Sequence, residues 1–398
     1  MLLLTNTVQT YAWGRLDGLA PIVGSEPTGG PEAELWVGTH PAAPSVVVDD
    51  PEGRTLAEVI ASDPSRWLGP GLADAGHTAL PFLLKVLAIG TPLSLQAHPS
   101  AEQAATGFVR EEEAGIDIGA RNRTYRDPNP KPEALVALSD TWALCGFRDP
   151  ADAAALVQIL GVPALDPLVS ILRGGGGRSL HDALAWLLHL QGADVDSVVA
   201  SAADAASSVS GDTPDDPMTW VVRLAGAHPD DPTVLAPLLM QVVRLVPGQA
   251  VHLPAGNLHA YLEGAGIEVM QASDNVLRGG LTSKHIDVDE LLSIIRFEPG
   301  MPAPPVHKDH GNGLHTYDAG EETFGLALVI PGEATVDIAP TGPSLLLATH
   351  GRIDIAGDDG GISLDGGDAA FTAPREGSLT VSGPGQLWWA TTGDDLPV

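Results

Sequence analysis

The sequence predicts a mainly β protein interrupted by a block of helices. Three observations carry that reading. Apolar runs bounded by glycine and proline dominate residues 1–148, helix-capping signals and helical spacing occupy 149–244, and strand alternation resumes at Val246. The expected arrangement is a β-domain in two parts, 1–148 and 245–300, flanking a helical insertion at 149–244. A second β-domain follows at 301–398.

In the first part, TLAEVIASDPSRWLG (55–69) reads as a short helix. LPFLLKVLAIG and PLSLQAHP read as strands, because apolar runs without alternation fit strands covered on both faces. In the insertion, Asp149 and Pro150 ahead of ADAAALVQILG supply an N-cap, a proline at the first helical position and a closing glycine. Ser179 is expected to open LHDALAWLLHLQG after a flexible Gly174–Gly177 link. DVDSVVASAADAASSVS, PMTWVVRLAGAH and PTVLAPLLMQVVRL complete the expected bundle. Beyond it, VPGQAVHLPAGNLHAYL and GIEVMQAS alternate as strands. After Gly300, FGLALVI, EATVDI, SLLLAT, GRIDIAG, AAFTAP, GSLTVSG and QLWWATT have the spacing of a sandwich or barrel.

A chain of 398 residues with 44% apolar side chains can bury a sizeable core in two or three domains. A formal net charge of -31 argues against nucleic acid or an anionic membrane as partner. The most apolar window, LPFLLKVLAIGTPLSLQA, is broken by Lys85 and Pro92 and does not read as a membrane span. The lone cysteine, Cys145, excludes an internal disulfide and fits a reducing cytoplasm, and the first residues lack the basic region of a signal peptide. Only four of the 20 basic residues are lysines, at positions 85, 131, 284 and 308, and three of them fall in the motifs below.

Those motifs point to a metal. Gln96 and His98, two apart in a predicted strand, project to one face and make half a ligand set. Further on, Gly248, Pro254, Gly256 and His259 have the spacing G-x5-P-x-G-x2-H, the second signature of the cupin jelly roll. The strand ends at Pro254, Gly256 permits a tight reversal, and His259 returns to the barrel mouth. The missing carboxylate is best supplied by Glu133 in NPKPEALVAL, where Pro132 fixes the backbone and holds Lys131 and Glu133 on one face. Two imidazoles, a carboxylate, an amide and one open position suit zinc in a catalytic role. Each residue alone has a plainer reading: His259 as a structural histidine, Glu133 as a strand-edge acid, Arg278 as a surface partner of Asp274. The expected fold is therefore a cupin jelly-roll catalytic domain, a helical domain and a second, jelly-roll-like C-terminal domain.

The chain resembles the class I mannose-6-phosphate isomerases. The resemblance rests on YAWG (11–14), AELWVGTHP (33–41), LPFLLKVLAIGTPLSLQAHP (80–99), YRDPNPKPE (125–133), ALCGFR (143–148), LPAGNLHAYLEG (253–264) and IEVMQASDNVLRGGLTSKHIDV (267–288). It spans the first 300 residues or so and fades in the last hundred. Pro130 and Ala134 stand where the family often has histidine and methionine.

The resemblance implies that Gln96, His98, Glu133 and His259 hold one zinc ion. It implies that Ser94, Lys85, Lys131, Tyr261, Glu268, Asp274, Arg278 and Lys284 line a sugar-phosphate pocket. Interconversion of mannose 6-phosphate and fructose 6-phosphate by a cytoplasmic monomer is the implied activity. Among these residues, Arg278 is expected to steady developing negative charge or the phosphate, and Glu268 is favoured as the base over Asp274 and a nearby lysine. The alternative is a non-catalytic sugar-binding or regulatory cupin that keeps the metal for structure. An iron-dependent oxidoreductase fits less well, because such sites present more histidines. His40, Trp13 and Trp36 read as structural. GGDAAFTAPREGSLTVSG repeats the rhythm of 248–264 without a ligand histidine, so the second jelly roll is expected to pack and to bind no metal.

Overall fold

The computed structural model describes residues 1–358, 360–375 and 377–397. Its sheets are antiparallel throughout the registered pairs. The larger sheet centres on the long strand His259–Gln271, which pairs with Phe82–Ile89, Thr141–Phe147 and Glu133–Ala137. Leu95–Ala97 joins it through His259 opposite Gln96, and Leu277–Gly280 joins Leu95–Ala97 in turn. The last hundred residues form a four-stranded sheet and six strands of an eight-stranded sheet, and all seven expected tail strands are present.

Alternation sorts the side chains of these sheets. Along Phe82–Ile89, Phe82, Leu84, Val86 and Ala88 face a core shared with Leu345, Leu347, Phe371 and Trp388 of the eight-stranded sheet. Leu87 and Ile89 face the other way, into a smaller cluster with Leu135, Val251 and Tyr261, and Lys85 shares their parity. A cation thus points into the interior of the first β unit. In His259–Gln271 the register slips opposite Trp142 and Ala143, and Gly264 takes φ +133°. That bulge shifts the phase of alternation, so Tyr261 and Glu268 reach the same cleft although seven apart in sequence.

Three expectations need correction, and one helix was missed. PTVLAPLLMQVVRL is not one helix: a short helical stretch, Pro232–Leu235 and Ala236–Leu239, passes into the strand Met240–Leu245 beside Thr141–Phe147. Its adjacent β-branched Val242 and Val243 favour the strand once a partner edge is present. The glycine run at 174–177 is no free link, since the helix Gly176–His189 begins inside it and Ser179 lies in its first turn. Leu2–Thr5 and Val46–Val47, expected in the first β-domain, extend the eight-stranded sheet of the tail through Ala369–Thr372. The helix Ala101–Glu113 was not anticipated, although Ser100 and Gln103 form a capping box that announces it.

The remaining helices, from Pro150–Ile159 to Pro217–Ala227, build a separate apolar core. That core also takes in Leu95, Leu258, Leu277 and Leu281 from the strands around the site. The helical block is therefore packed directly behind the cleft.

Candidate active site

His98, Glu133 and His259 are all buried, and one ligand atom from each lies within 4.8 Å of the others. His98 Nε2 is 3.5 Å from Glu133 Oε1, and His259 Nε2 is 3.5 Å from Glu133 Oε2. Both rings are oriented from behind: His98 Nδ1 meets the Asn275 carbonyl at 2.8 Å and His259 Nδ1 meets the Asn257 carbonyl at 3.1 Å. Carbonyls accept only, so each Nδ1 carries the hydrogen and each Nε2 turns a lone pair inward. Gln96 completes the group, its amide 3.3 Å from His259 Nε2; turning the amide about its terminal bond presents Oε1 there instead.

His98 Nε2 and Glu133 Oε2 are buried without a hydrogen-bond partner. Two inward lone-pair acceptors so placed are unfavourable unless a cation lies between them. The donor set of two imidazoles, a carboxylate and an amide fits a divalent transition metal.

The electrostatics point the same way. Burial would raise the Glu133 carboxyl, but Lys131, whose Nζ lies 2.7 Å from Oε1, and His98 hold it well below its ordinary value. Burial pushes His98 down to about 4 against the pull of Glu133, so its ring is neutral and free to ligate. Next to this group, Lys85 Nζ is 3.1 Å from Glu268 Oε2, both side chains nearly inaccessible. Burial alone would lower the Lys85 pKa; Glu34, Glu268 and Glu133 together raise it instead. Glu268 is raised by burial and by Glu133, with Lys85 opposing. Three carboxylates, Glu34, Glu133 and Glu268, thus face two ammonium groups, Lys85 and Lys131. The interior carries an excess negative charge that a dication would reverse.

Burial and the two glutamates push the Tyr261 phenol well above its ordinary pKa, so it remains a neutral donor. Its hydroxyl is buried with no hydrogen-bond partner. A cleft of about 280 Å³ opens over these groups. Ser94, Lys85, Gln96, Lys131, Glu133, Tyr261, Glu268, Arg278 and Lys284 all line it. His98 and His259 lie buried beneath.

Asp274 is not among the lining residues. Its half-exposed carboxylate lies within hydrogen-bond distance of His40 Nε2, at 3.2 Å, a contact that ties the loop to His40. Trp36 is buried, with Lys85 over its ring at 5.0 Å, whereas Trp13, expected in the core, lines the cleft. Sequence reasoning missed Glu34, which accepts from the Trp36 indole. The signal was available: Glu34–Val37 is buried at every position, and an acid there requires a reason.

One wall of the cleft is held under strain. Leu281 has φ +55°, unusual for a branched residue. Its N–H donates to Asp231 Oδ2 at 2.6 Å, and Asp231 Oδ1 also accepts from the Thr233 N–H that begins the helical stretch Pro232–Leu235. A side chain at the preceding Gly280, φ +134°, would collide with Thr233. Asp231 thereby fixes Leu281 and Thr282, which line the cleft just before Lys284.

Comparison with known proteins places this geometry. Residues 1–150 match the family model of the phosphomannose isomerase type I catalytic domain. A curated mannose-6-phosphate isomerase from Escherichia coli (strain K12) is 34% identical over 96% of this chain and 97% of its own length. The Rattus norvegicus counterpart is 30% identical over 94% and 93%. Among solved structures, a zinc-bound mannose 6-phosphate isomerase superposes with TM-score 0.90 at 33% identity, covering 98% of this chain and 99% of that one. A variant of phosphomannose isomerase from Salmonella typhimurium superposes with TM-score 0.91 at 33% identity and the same coverage.

Proposed function

The chain belongs to the type I phosphomannose isomerase family, and on that premise we propose that it is a zinc-dependent isomerase interconverting mannose 6-phosphate and fructose 6-phosphate through a cis-enediol. The observation that carries the reading is the buried His98, Glu133 and His259 group with two inward acceptors left unpaired, beside a buried Lys85–Glu268 pair and the unpartnered Tyr261 hydroxyl.

Gln96, His98, Glu133 and His259 are the residues that would hold the ion. When bound, zinc supplies a Lewis acid next to the sugar's reacting oxygens. The chain's own groups do the rest. The reaction moves one proton from C2 to C1 and a second from the C2 hydroxyl to the C1 oxygen, so that the C2 hydroxyl becomes the ketone and the C1 aldehyde a hydroxyl. Glu268 is the base: burial raises its pKa toward the working range, and Lys85 at 3.1 Å keeps it oriented. It takes the proton from C2 of the aldose and returns it to C1 for the ketose. Lys131 and the neutral Tyr261 hydroxyl donate toward the oxygens on which charge collects, and Arg278, on the cleft rim, steadies either that charge or the phosphate. Lys284 and Ser94 hold the substrate. Asp274 takes part through the loop it anchors.

A sugar-binding module keeping a metal for structure has no use for a raised carboxyl beside an unpaired phenol. No helix among the described residues is long and apolar enough to cross a membrane. A single chain supplies the whole site, which supports a monomer, and one cysteine in an acidic chain supports the cytoplasm.

The test is conversion of mannose 6-phosphate to fructose 6-phosphate before and after chelation and zinc restoration. Glu268→Gln is expected to lower kcat roughly 10²–10⁴-fold with zinc content unchanged. Activity that persists after thorough metal removal refutes the reading.

A further inference from the structure

Beyond the cleft lies a second, larger depression of about 610 Å³ that shares Arg278 and Lys284 with it. Its wall also carries Arg121, Arg123, Arg126 and His285, so basic residues concentrate here in a chain of net charge -31. Arg123 is already engaged, its guanidinium on Glu111, Glu112 and two backbone carbonyls. The one acid of the wall, Asp287, accepts from the Glu290 N–H as a helix cap. Arg126, Arg278 and Lys284 make no ion pair among the described residues, although the chain has 51 acids to offer. They press on one another instead: burial and then Arg126 lower the Arg278 pKa, and burial, Arg278 and Arg126 lower that of Lys284. Three mutually repelling cations converging on one basin are the arrangement an anion relieves.

The basin is also rigidly placed. Asn275 is fully buried; its Oδ1 accepts from the Arg126 N–H at 2.7 Å, and its backbone carbonyl receives His98 Nδ1 at 2.8 Å. Asn275 Nδ2 in turn donates to the Asp127 and Asn129 carbonyls at 2.7 and 2.8 Å. One side chain therefore sets the distance between a ligand of the metal group and the backbone that carries Arg126.

We propose that Arg126 joins Arg278 and Lys284 in seating the phosphate of the substrate in this outer basin, and that Arg126 is a specificity-determining residue for phosphorylated over free sugar. The proposal rests on the functional reading above. A guanidinium presents paired donors that match a phosphate dianion, whereas Lys284 offers only a point charge.

The test uses the full-length, zinc-loaded chain and its Arg126→Gln and Arg126→Lys variants. Both substitutions leave the backbone bond to Asn275 in place, and unchanged melting and zinc content check that. Arg126→Gln is expected to raise KM for mannose 6-phosphate roughly 10- to 100-fold with a much smaller change in kcat, as loss of a charge-assisted pair implies. The inhibition constant of inorganic phosphate should rise in parallel, and Arg126→Lys should recover part of both. An unchanged KM and unchanged phosphate inhibition overturn the proposal, as does a fall in kcat at constant KM. Should the wild-type chain isomerise no sugar phosphate, calorimetric binding of inorganic phosphate still decides. Weaker binding to Arg126→Gln than to wild type upholds the seat, and equal binding removes it.

Discussion

The first β unit and the tail sandwich are built from similar strands, yet their interiors differ in kind. The tail encloses Val329, Ile338, Leu346, Ile353, Ile355, Leu364, Val381, Leu387 and Trp389, an apolar filling in which the Trp389 indole is satisfied by Ser344 at 2.9 Å. The first unit encloses Lys85, Lys131, Glu133, Glu268, His98 and His259, all buried. Apolar filling gains stability in proportion to buried area. Buried charges break even at best, and only while every partner is present. The difference teaches where this chain places chemistry: the tail and its shared core with Phe82, Leu84 and Val86 give the first unit a stable wall against which charged groups can be held out of water.

The sharpest way to break the comparison is to make a loss of similar size in each interior. Lys131→Met leaves Glu133 without its ammonium at 2.7 Å and should destabilise the metal-free protein by about 3–5 kcal/mol, abolishing isomerisation as well. Trp389→Ala should lower stability by a comparable ~3–5 kcal/mol while the folded fraction keeps its kcat. Denaturant melts with kinetics on both variants check this; an inactive but folded Trp389→Ala would erase the distinction.

A smaller effect concerns pH. Because the folded state raises the Glu268 pKa, that group is without penalty below the ordinary carboxylate value of about 4.3 and disfavours folding as pH rises through the raised value. Glu133, depressed in the folded state, acts oppositely: its contribution is present above the ordinary value and fades as pH falls through the depressed one. A dication near both favours their anions. The Glu268 part should therefore cost the metal-free protein stability on going from mildly acidic to neutral pH, against the opposite change from His98, which is held down to about 4 and is uncharged in the fold, and zinc should flatten that Glu268 part. Melts at several pH values, with Glu268→Gln as the control that also flattens it, measure the effect.

The smallest expected change sharpens the part played by the helical block. Asp231→Asn turns one of the two accepting oxygens into a donor, so the side chain can no longer accept from both the Leu281 and the Thr233 N–H, and should lower stability by only about 1 kcal/mol. KM for the sugar phosphate should rise a few-fold, since Thr282 and Lys284 lose their anchor. A melting shift with unchanged KM would make Asp231 purely structural.

The residues proposed as ligands were legible because each sits in a local device that survives in one dimension: the i, i+2 pair of Gln96 and His98, the proline before Glu133, the glycine-proline turn before His259. Groups gathered by register were not. Glu34 reaches the cleft because its strand pairs with Phe82–Ile89, and Arg126 reaches the basin through a hydrogen bond to Asn275, 149 residues away. No spacing rule encodes either. Met240–Leu245 was misread for the same reason, as its strand exists by virtue of Thr141–Phe147. Asp274 is a motif position whose side chain turns to His40.

The pairing of Leu4 with Ala369 has a consequence during synthesis. Leu2–Thr5 leaves the ribosome 365 residues ahead of the partner that covers its second edge, the first being covered by Val46–Val47. Nascent chains therefore keep that edge open while the intervening residues are made, and a holding chaperone that shields it should raise the yield of folded protein.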